Sequence, residues 1–158
     1  MRLINLIVVH CSATREDCAL SSEDLDQMHR LRGFKGTGYH FYIRRNGKIL
    51  ATRPLERNGA HAKGFNANSI AVCYEGGLDS EGRPADTRTP EQRESLQLLV
   101  LQLLDNFPGC RVCGHRDLSP DLNKNGEIEP KEWIKECPCF DAEKEYAELV
   151  AMAEERAV

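Results

Sequence analysis

The chain has 158 residues, 41% of them apolar and 29% charged; that is the size and balance of one ordinary domain with a single core, and it excludes a disordered chain. Its richest apolar run, residues 96–104, is interrupted by Gln97 and Gln102 and is too short to span a bilayer. With 21 Lys and Arg against 25 Asp and Glu, the net charge of −4 gives no electrostatic basis for nucleic acid as a main partner.

Residues 3–10 are apolar and rich in Val and Ile, as a buried central strand is. This run is short, carries Asn5 and leads into His10-Cys11 rather than a small-residue cleavage site. It reads as a strand and not as a signal peptide, so synthesis in the cytoplasm without membrane association is expected. Ser21 and Ser22 precede Glu23-Asp24, and Leu25, Met28 and Leu31 recur at helical spacing before Gly33, which predicts an N-capped amphipathic helix. Residues 40–45 and 48–53 flank Asn46-Gly47, the pattern of a hairpin closed by a two-residue turn. Residues 69–74 predict another apolar strand, stopped by Gly76-Gly77. Thr89, Pro90 and Gln92 spell a capping box with proline at the first helical position. Leu96, Leu99, Val100, Leu103 and Leu104 then form the stripe of a long helix, ended by Pro108-Gly109. Residues 111–114 read as a short strand, and a final helix starts after Asp141 with Tyr146, Leu149 and Val150 facing inward. No repeat or linker divides residues 1–158, which are expected to form one domain of the α/β (α+β) class, a central mixed sheet flanked by helices.

Seven cysteines, at 11, 18, 73, 110, 113, 137 and 139, are an odd number. Without an export signal, reduced thiols with one or more on a metal are a better reading than a disulfide framework. Cys11, Cys18 and Cys73 fit as small core hydrophobes. Cys110 and Cys113 form a CxxC with no second pair at zinc-ribbon distance. Among five histidines, His10 and His115 each end an apolar strand, and strand ends hold ligands rigidly. A lone strand-end His is more often structural than ligating. Two His and one Cys on zinc, however, leave a fourth position for water, the catalytic pattern. If His10 faces a site, alternation turns Cys11 to the opposite, buried side.

Six blocks occur in order: His10-Cys11-Ser12-Ala13-Thr14, Gly38-Tyr39-His40-Phe41, Gly59-Ala60-His61-Ala62-Lys63-Gly64, Asn68-Ser69-Ile70, Gly114-His115-Arg116 and Lys135-Glu136-Cys137-Pro138-Cys139-Phe140-Asp141. Together they resemble the zinc-dependent N-acetylmuramoyl-L-alanine amidases that share a fold with peptidoglycan recognition proteins. The phage-lysozyme-type branch is the nearest, and the resemblance covers nearly the whole chain. It implies one zinc per chain in a surface cleft, held by His10, His115 and Cys137, with Tyr39 and Lys135 as catalytic partners of the metal. It also implies that His61, Lys63 and Asn68 belong to the loop lining the substrate groove, and it gives His29 and His40 no role beyond structure. Some branches carry a Glu, proposed as general base, where this chain has Cys73. Glu75, two residues on, is the weaker substitute, and the site built on Tyr39 and Lys135 is the consistent one.

The implied reaction is zinc-dependent hydrolysis of the amide between the lactyl group of N-acetylmuramic acid and L-alanine in peptidoglycan. Metal-activated water would be the nucleophile, with Tyr39 and Lys135 stabilising the transition state. The cell wall would be reached after lysis or export by another route. A non-catalytic peptidoglycan-binding module of the same fold is disfavoured because all five site residues are present together. A polymerase-type regulatory partner has no support in the sequence.

A further pattern lies between the proposed ligands. Asp121, Asn123, Asn125, Gly126 and Glu132 match an EF-hand loop at its fixed offsets. Oxygen ligands would come from the side chains of Asp121, Asn123, Asn125, Glu129 and Glu132 and from the Glu127 carbonyl. Pro120 leaves no regular entering helix. The loop reads either as a calcium-type site or as a polar turn insertion rich in Asn and Asp.

Overall fold

The computed structural model of the protein describes residues 2–156. In chain order its elements are β1 (Leu6–Cys11), β2 (Thr14–Arg15), α1 (Ser22–Leu31), β3 (Phe41–Ile43), β4 (Ile49–Ala51), β5 (Ser69–Tyr74), β6 (Gly77–Leu78), α2 (Pro90–Asn106), β7 (Arg111–Gly114), α3 (Ala142–Glu145) and α4 (Ala147–Arg156). One mixed sheet has the order β4-β3-β5-β1-β7. Its strands β3, β5, β1 and β7 run parallel, and β4 is antiparallel to β3. The central strands β1 and β5 pair from Leu6↔Ser69 to Cys11↔Tyr74 and are buried throughout. Strands covered on both faces read as unbroken apolar runs, which is how both are visible in the sequence. β2 and β6 form a separate parallel pair of two residues each, too short to leave a periodic signal.

The capping box of α2 forms as its sequence predicts. Thr89 Oγ1 accepts the Gln92 N–H (3.1 Å), and Gln92 Oε1 accepts the Thr89 N–H (3.0 Å). The amide nitrogen of Gln92 donates to the carbonyls of Glu75 (2.9 Å) and Ile43 (3.2 Å). The residue that caps the helix therefore also docks it on the sheet. Leu96, Leu99, Val100, Leu103 and Leu104 pack with Ile7, Val9, Ile70, Val72 and Val112 in the main core; each such side chain contributes roughly 2 kcal/mol on burial. α4 packs beside α2. On the other face, α1 covers Tyr42 and Cys73 through Leu25, and Phe65 and Leu118 cover Leu6, Val8 and Cys113. Among the described residues no helix is long and apolar enough to cross a membrane.

Three local features depart from the sequence reading. The hairpin pairs Ile43 with Ile49, and the Gly47 N–H donates to Arg44 O (2.8 Å), so the loop holds residues 45–47 and not Asn46-Gly47 alone. Gly47 has a φ of +88° while Asn46 keeps a negative φ. A type I′ turn needs both positive; a type I turn closed by a glycine bulge needs only the last. A Cβ at Gly47 would also lie 2.9 Å from Glu91 O at the start of α2. The final helix is divided: α3 stops at Glu145 and is capped by Tyr146 (φ −104°, ψ 9°), whose ring is buried against Phe140 at 6.2 Å. Cys18 is exposed rather than in the core, because it sits in a turn whose N–H donates to Arg15 O (3.0 Å).

Candidate active site

Alternation along β1 sends Ile7, Val9 and Cys11 into the α2 core and His10 to the opposite face. His10 is buried on the floor of a cleft of about 430 Å³ that Tyr39, Lys63, His115, Lys135 and Cys137 also line. A second cavity of about 300 Å³ shares His61, Lys63, His115 and Lys135 and extends past Phe65 and Ile134.

His10, His115 and Cys137 each present one ligand atom, and these atoms lie within 4.8 Å of one another. No other group of three or more His, Cys, Asp or Glu is so gathered among the described residues. His10 Nδ1 is 3.8 Å from Cys137 Sγ, and the His10 and His115 ring centres are 4.5 Å apart. β7 delivers His115, its last N–H held by Asp117 (2.8 Å). The segment carrying Cys137 is irregular and is tied down from several sides. Arg116 N–H donates to Cys137 O (2.8 Å), Tyr74 Oη–H to Pro138 O (2.6 Å), and Ile134 N–H to Ser119 Oγ (3.1 Å). Gly114 permits this approach, since a Cβ there would lie 2.5 Å from Pro138 Cδ. The Cys11 N–H donates to Cys137 Sγ (3.1 Å), a contact that strengthens when the sulfur is charged. Cys139 is turned away and donates its thiol to Gly77 O (3.4 Å).

Burial, then the charges of His61, His115 and Lys135, hold His10 well below the usual histidine range. Burial and Lys135 lower His115 as well. Both imidazoles are therefore neutral near pH 7 and have lone pairs to offer. The Tyr39 ring lies 4.9 Å from His10 and 5.1 Å from His29. Burial pushes its phenol well above the usual range, so the hydroxyl keeps its proton and remains a donor. Lys135 is exposed and borders both cavities.

Of the two histidines left without a role by the resemblance, His40 has both ring nitrogens bonded inside the protein, whereas His29 has one bonded and also lines the cleft. His29 Nδ1 accepts the Gly38 N–H (2.8 Å). His40 Nδ1 accepts the Ala71 N–H (3.1 Å), and its Nε2 donates to Arg57 O (2.9 Å). Both oxygens of the buried Glu75 are engaged inside the protein: Oε1 accepts from Arg44 Nε (2.8 Å) and the Arg45 N–H (3.0 Å), and Oε2 from the Leu20 N–H (2.7 Å). Burial opposes its charge, but those bonds outweigh it and hold the carboxyl below its ordinary range. Cys110 packs in the α2 core and Cys113 on the opposite face, so this pair cannot share an ion.

Of the expected groove residues, Lys63 is exposed and lines both cavities. Asn68 is not brought into the cleft: it sits where β5 begins, and its amide donates to Asn5 Oδ1 (2.7 Å). His61 lies against His10, with Nδ1 2.8 Å from His10 Nε2 and Nε2 2.9 Å from Ser69 Oγ. Asn66, which no motif singles out, accepts the N–H groups of His61 (2.9 Å) and Ala62 (3.0 Å) and fixes that loop.

The loop of residues 121–132 is closed by its own polar groups. Gly126 N–H donates to Asp121 Oδ2 (2.8 Å). Glu132, only 4% exposed, accepts the N–H groups of Leu122, Asn123 and Glu129. The Asn123 and Asn125 amides donate to Glu129. Asp121 Oδ1 is buried without a partner.

The mixed sheet with helices on its faces and an open cleft is the peptidoglycan recognition fold, shared with solved amidases and recognition proteins. The solved amidase LysC from Clostridium intestinale URNW matches with a TM-score of 0.69 at 28% identity, over 94% of this chain and 84% of that one. Drosophila peptidoglycan recognition protein SD matches in fold, with a TM-score of 0.65 at 21% identity over 87% and 76% of the two chains. The endolysin of Klebsiella phage KP32 is 36% identical over 138 residues, covering 87% of this chain and 82% of the relative. The N-acetylmuramoyl-L-alanine amidase family matches residues 1–132. The chain belongs to that family of amidases, in the branch of the phage endolysins.

Proposed function

We propose that the protein holds one zinc ion on His10, His115 and Cys137 and hydrolyses the amide between the lactyl group of N-acetylmuramic acid and L-alanine in peptidoglycan. The convergence of three ligand atoms within 4.8 Å on the floor of an open cleft carries this reading. The donor set fits zinc: two neutral imidazoles and one thiol are its usual nitrogen and sulfur ligands, and three of them leave a position open. Bound there, zinc supplies Lewis acidity and lowers the pKa of its water to about 7.

The chain's own residues supply the remainder. Negative charge builds on the carbonyl oxygen as the amide carbon becomes tetrahedral. Lys135 brings a positive charge to that oxygen and Tyr39 a hydroxyl that has kept its proton; one such donor is worth roughly 3 kcal/mol. Lys63 borders both cavities and is placed to hold the substrate along the cleft. Kinship with phage endolysins supports action on the cell wall after lysis or export. Stripping the metal with a chelator is expected to abolish peptidoglycan digestion, and one equivalent of zinc to restore it. Full activity in protein shown by elemental analysis to be metal-free contradicts the reading.

The loop of residues 121–132 is proposed as a weak calcium site, on the ground that Asp121 Oδ1 is buried with no partner. Glu132 is engaged by backbone N–H groups, and the entering helix is missing. Affinity is therefore expected at the weak end of the EF-hand range, ~10⁻⁵ M or poorer. Calcium should raise the melting temperature of the zinc-loaded wild type and not that of Asp121→Asn. No calcium-induced rise in the wild type at millimolar calcium, or the same rise in Asp121→Asn, contradicts a site there.

A further inference from the structure

The two ring nitrogens of His10 face in opposite directions. Nδ1 lies 3.8 Å from Cys137 Sγ, and Nε2 lies 2.8 Å from His61 Nδ1. The second ring continues the line: His61 Nε2 is 2.9 Å from the hydroxyl of Ser69, which is fully buried at the start of β5. The His61 ring stands edge-on to His10, at 83° and 4.9 Å between centres. Its seat is built for it. Asn66 holds the backbone of His61 and Ala62, and a Cβ on Gly59 would lie 2.7 Å from His61 Cδ2.

We propose that His61, backed by Ser69, is the positioning partner of His10, fixing which nitrogen of that ring faces the metal and at what angle. This rests on the zinc reading above. An imidazole that gives Nδ1 to a cation must carry its proton on Nε2. Here that proton points at His61 Nδ1, which accepts it only if His61 holds its own proton on Nε2. Ser69 Oγ, 2.9 Å away, accepts that proton. The hydrogen-bond line thus has one direction compatible with the ion, from His10 through His61 to Ser69. Both nitrogens of His61 are used inside the protein, so its contribution to the cleft is orientation of the ligand and not a polar contact to substrate. Partners of this kind raise ligand basicity and remove rotational freedom of the ring, and losing one typically costs about 10- to 100-fold in metal affinity.

The test is zinc affinity, measured by competition with a chromogenic chelator, in wild type, His61→Ala, His61→Asn and Ser69→Ala. His61→Ala is expected to weaken zinc about 10- to 100-fold. His61→Asn, whose amide oxygen falls near the position of Nδ1, should recover most of that loss. Ser69→Ala should weaken zinc by a smaller factor while leaving the lining of the cleft unchanged. The visible spectrum of the cobalt-substituted protein should shift in His61→Ala and return towards wild type in His61→Asn. If His61→Ala does not fold, the other two variants carry the comparison. Wild-type zinc affinity in all three variants overturns the role of His61 and leaves the zinc reading standing. A wild type that retains no zinc overturns both.

Discussion

Lys135→Ala and Tyr39→Phe are each expected to lower kcat by about 10²- to 10³-fold, the usual cost of one oxyanion donor, with zinc content and melting temperature unchanged. The side chain of Lys135 is exposed, so its removal leaves no cavity and no buried group unpaired. Tyr39→Phe keeps the ring packed between His10 and His29, at 4.9 and 5.1 Å, and removes only the hydroxyl. Burial holds that hydroxyl protonated, so its loss removes a donor and not a base. An effect confined to the transition state lowers kcat and kcat/KM together. Steady-state kinetics on a soluble muropeptide makes the distinction. A rise in KM with kcat intact assigns these residues to substrate binding and contradicts the oxyanion role.

Cys137→Ser is expected to abolish zinc binding and activity, whereas Cys139→Ser keeps one zinc per chain and most of its turnover. The two thiols are two residues apart and differ in what they face. Cys137 Sγ lies 3.8 Å from His10 Nδ1 and receives the Cys11 N–H, while Cys139 donates to Gly77 O. Serine keeps the size of each side chain and loses the soft ligand, so stability of the apo protein should change little in either variant. Elemental analysis of the two purified variants reads the difference. Equal zinc loss in both places the ligand set wrongly.

What the sequence disclosed follows the range over which each signal acts. The α2 cap, the Ser21 cap of α1 and the unbroken runs of β1 and β5 are local, and each forms where its residues predict. That His10, His115 and Cys137 come together was legible because they sit inside short recognisable blocks, each at the end of a strand or in a tethered segment. The hairpin register was not, since Asn46-Gly47 is compatible with two loop geometries and docking of Gly47 against α2 selects the longer one. Asn68 shares a block with Ser69, yet its amide is drawn to Asn5, 63 residues away in the chain. The link between His10 and His61, 51 residues apart, depends on the loop folding over the sheet face. No periodicity records such a contact. Glu75 reads as a candidate base by alternation alone, and only its three hydrogen-bond donors show that it is structural.

The most direct test of the zinc amidase account is mass spectrometry of peptidoglycan digested by the zinc-loaded protein. The account predicts glycan strands whose muramic acid residues carry a free lactyl carboxylate, together with free stem peptides bearing a new N-terminal L-alanine, and neither product from the metal-stripped protein. New reducing sugar ends with the stem peptides still attached, or cleavage between amino acids of the stem, would contradict it.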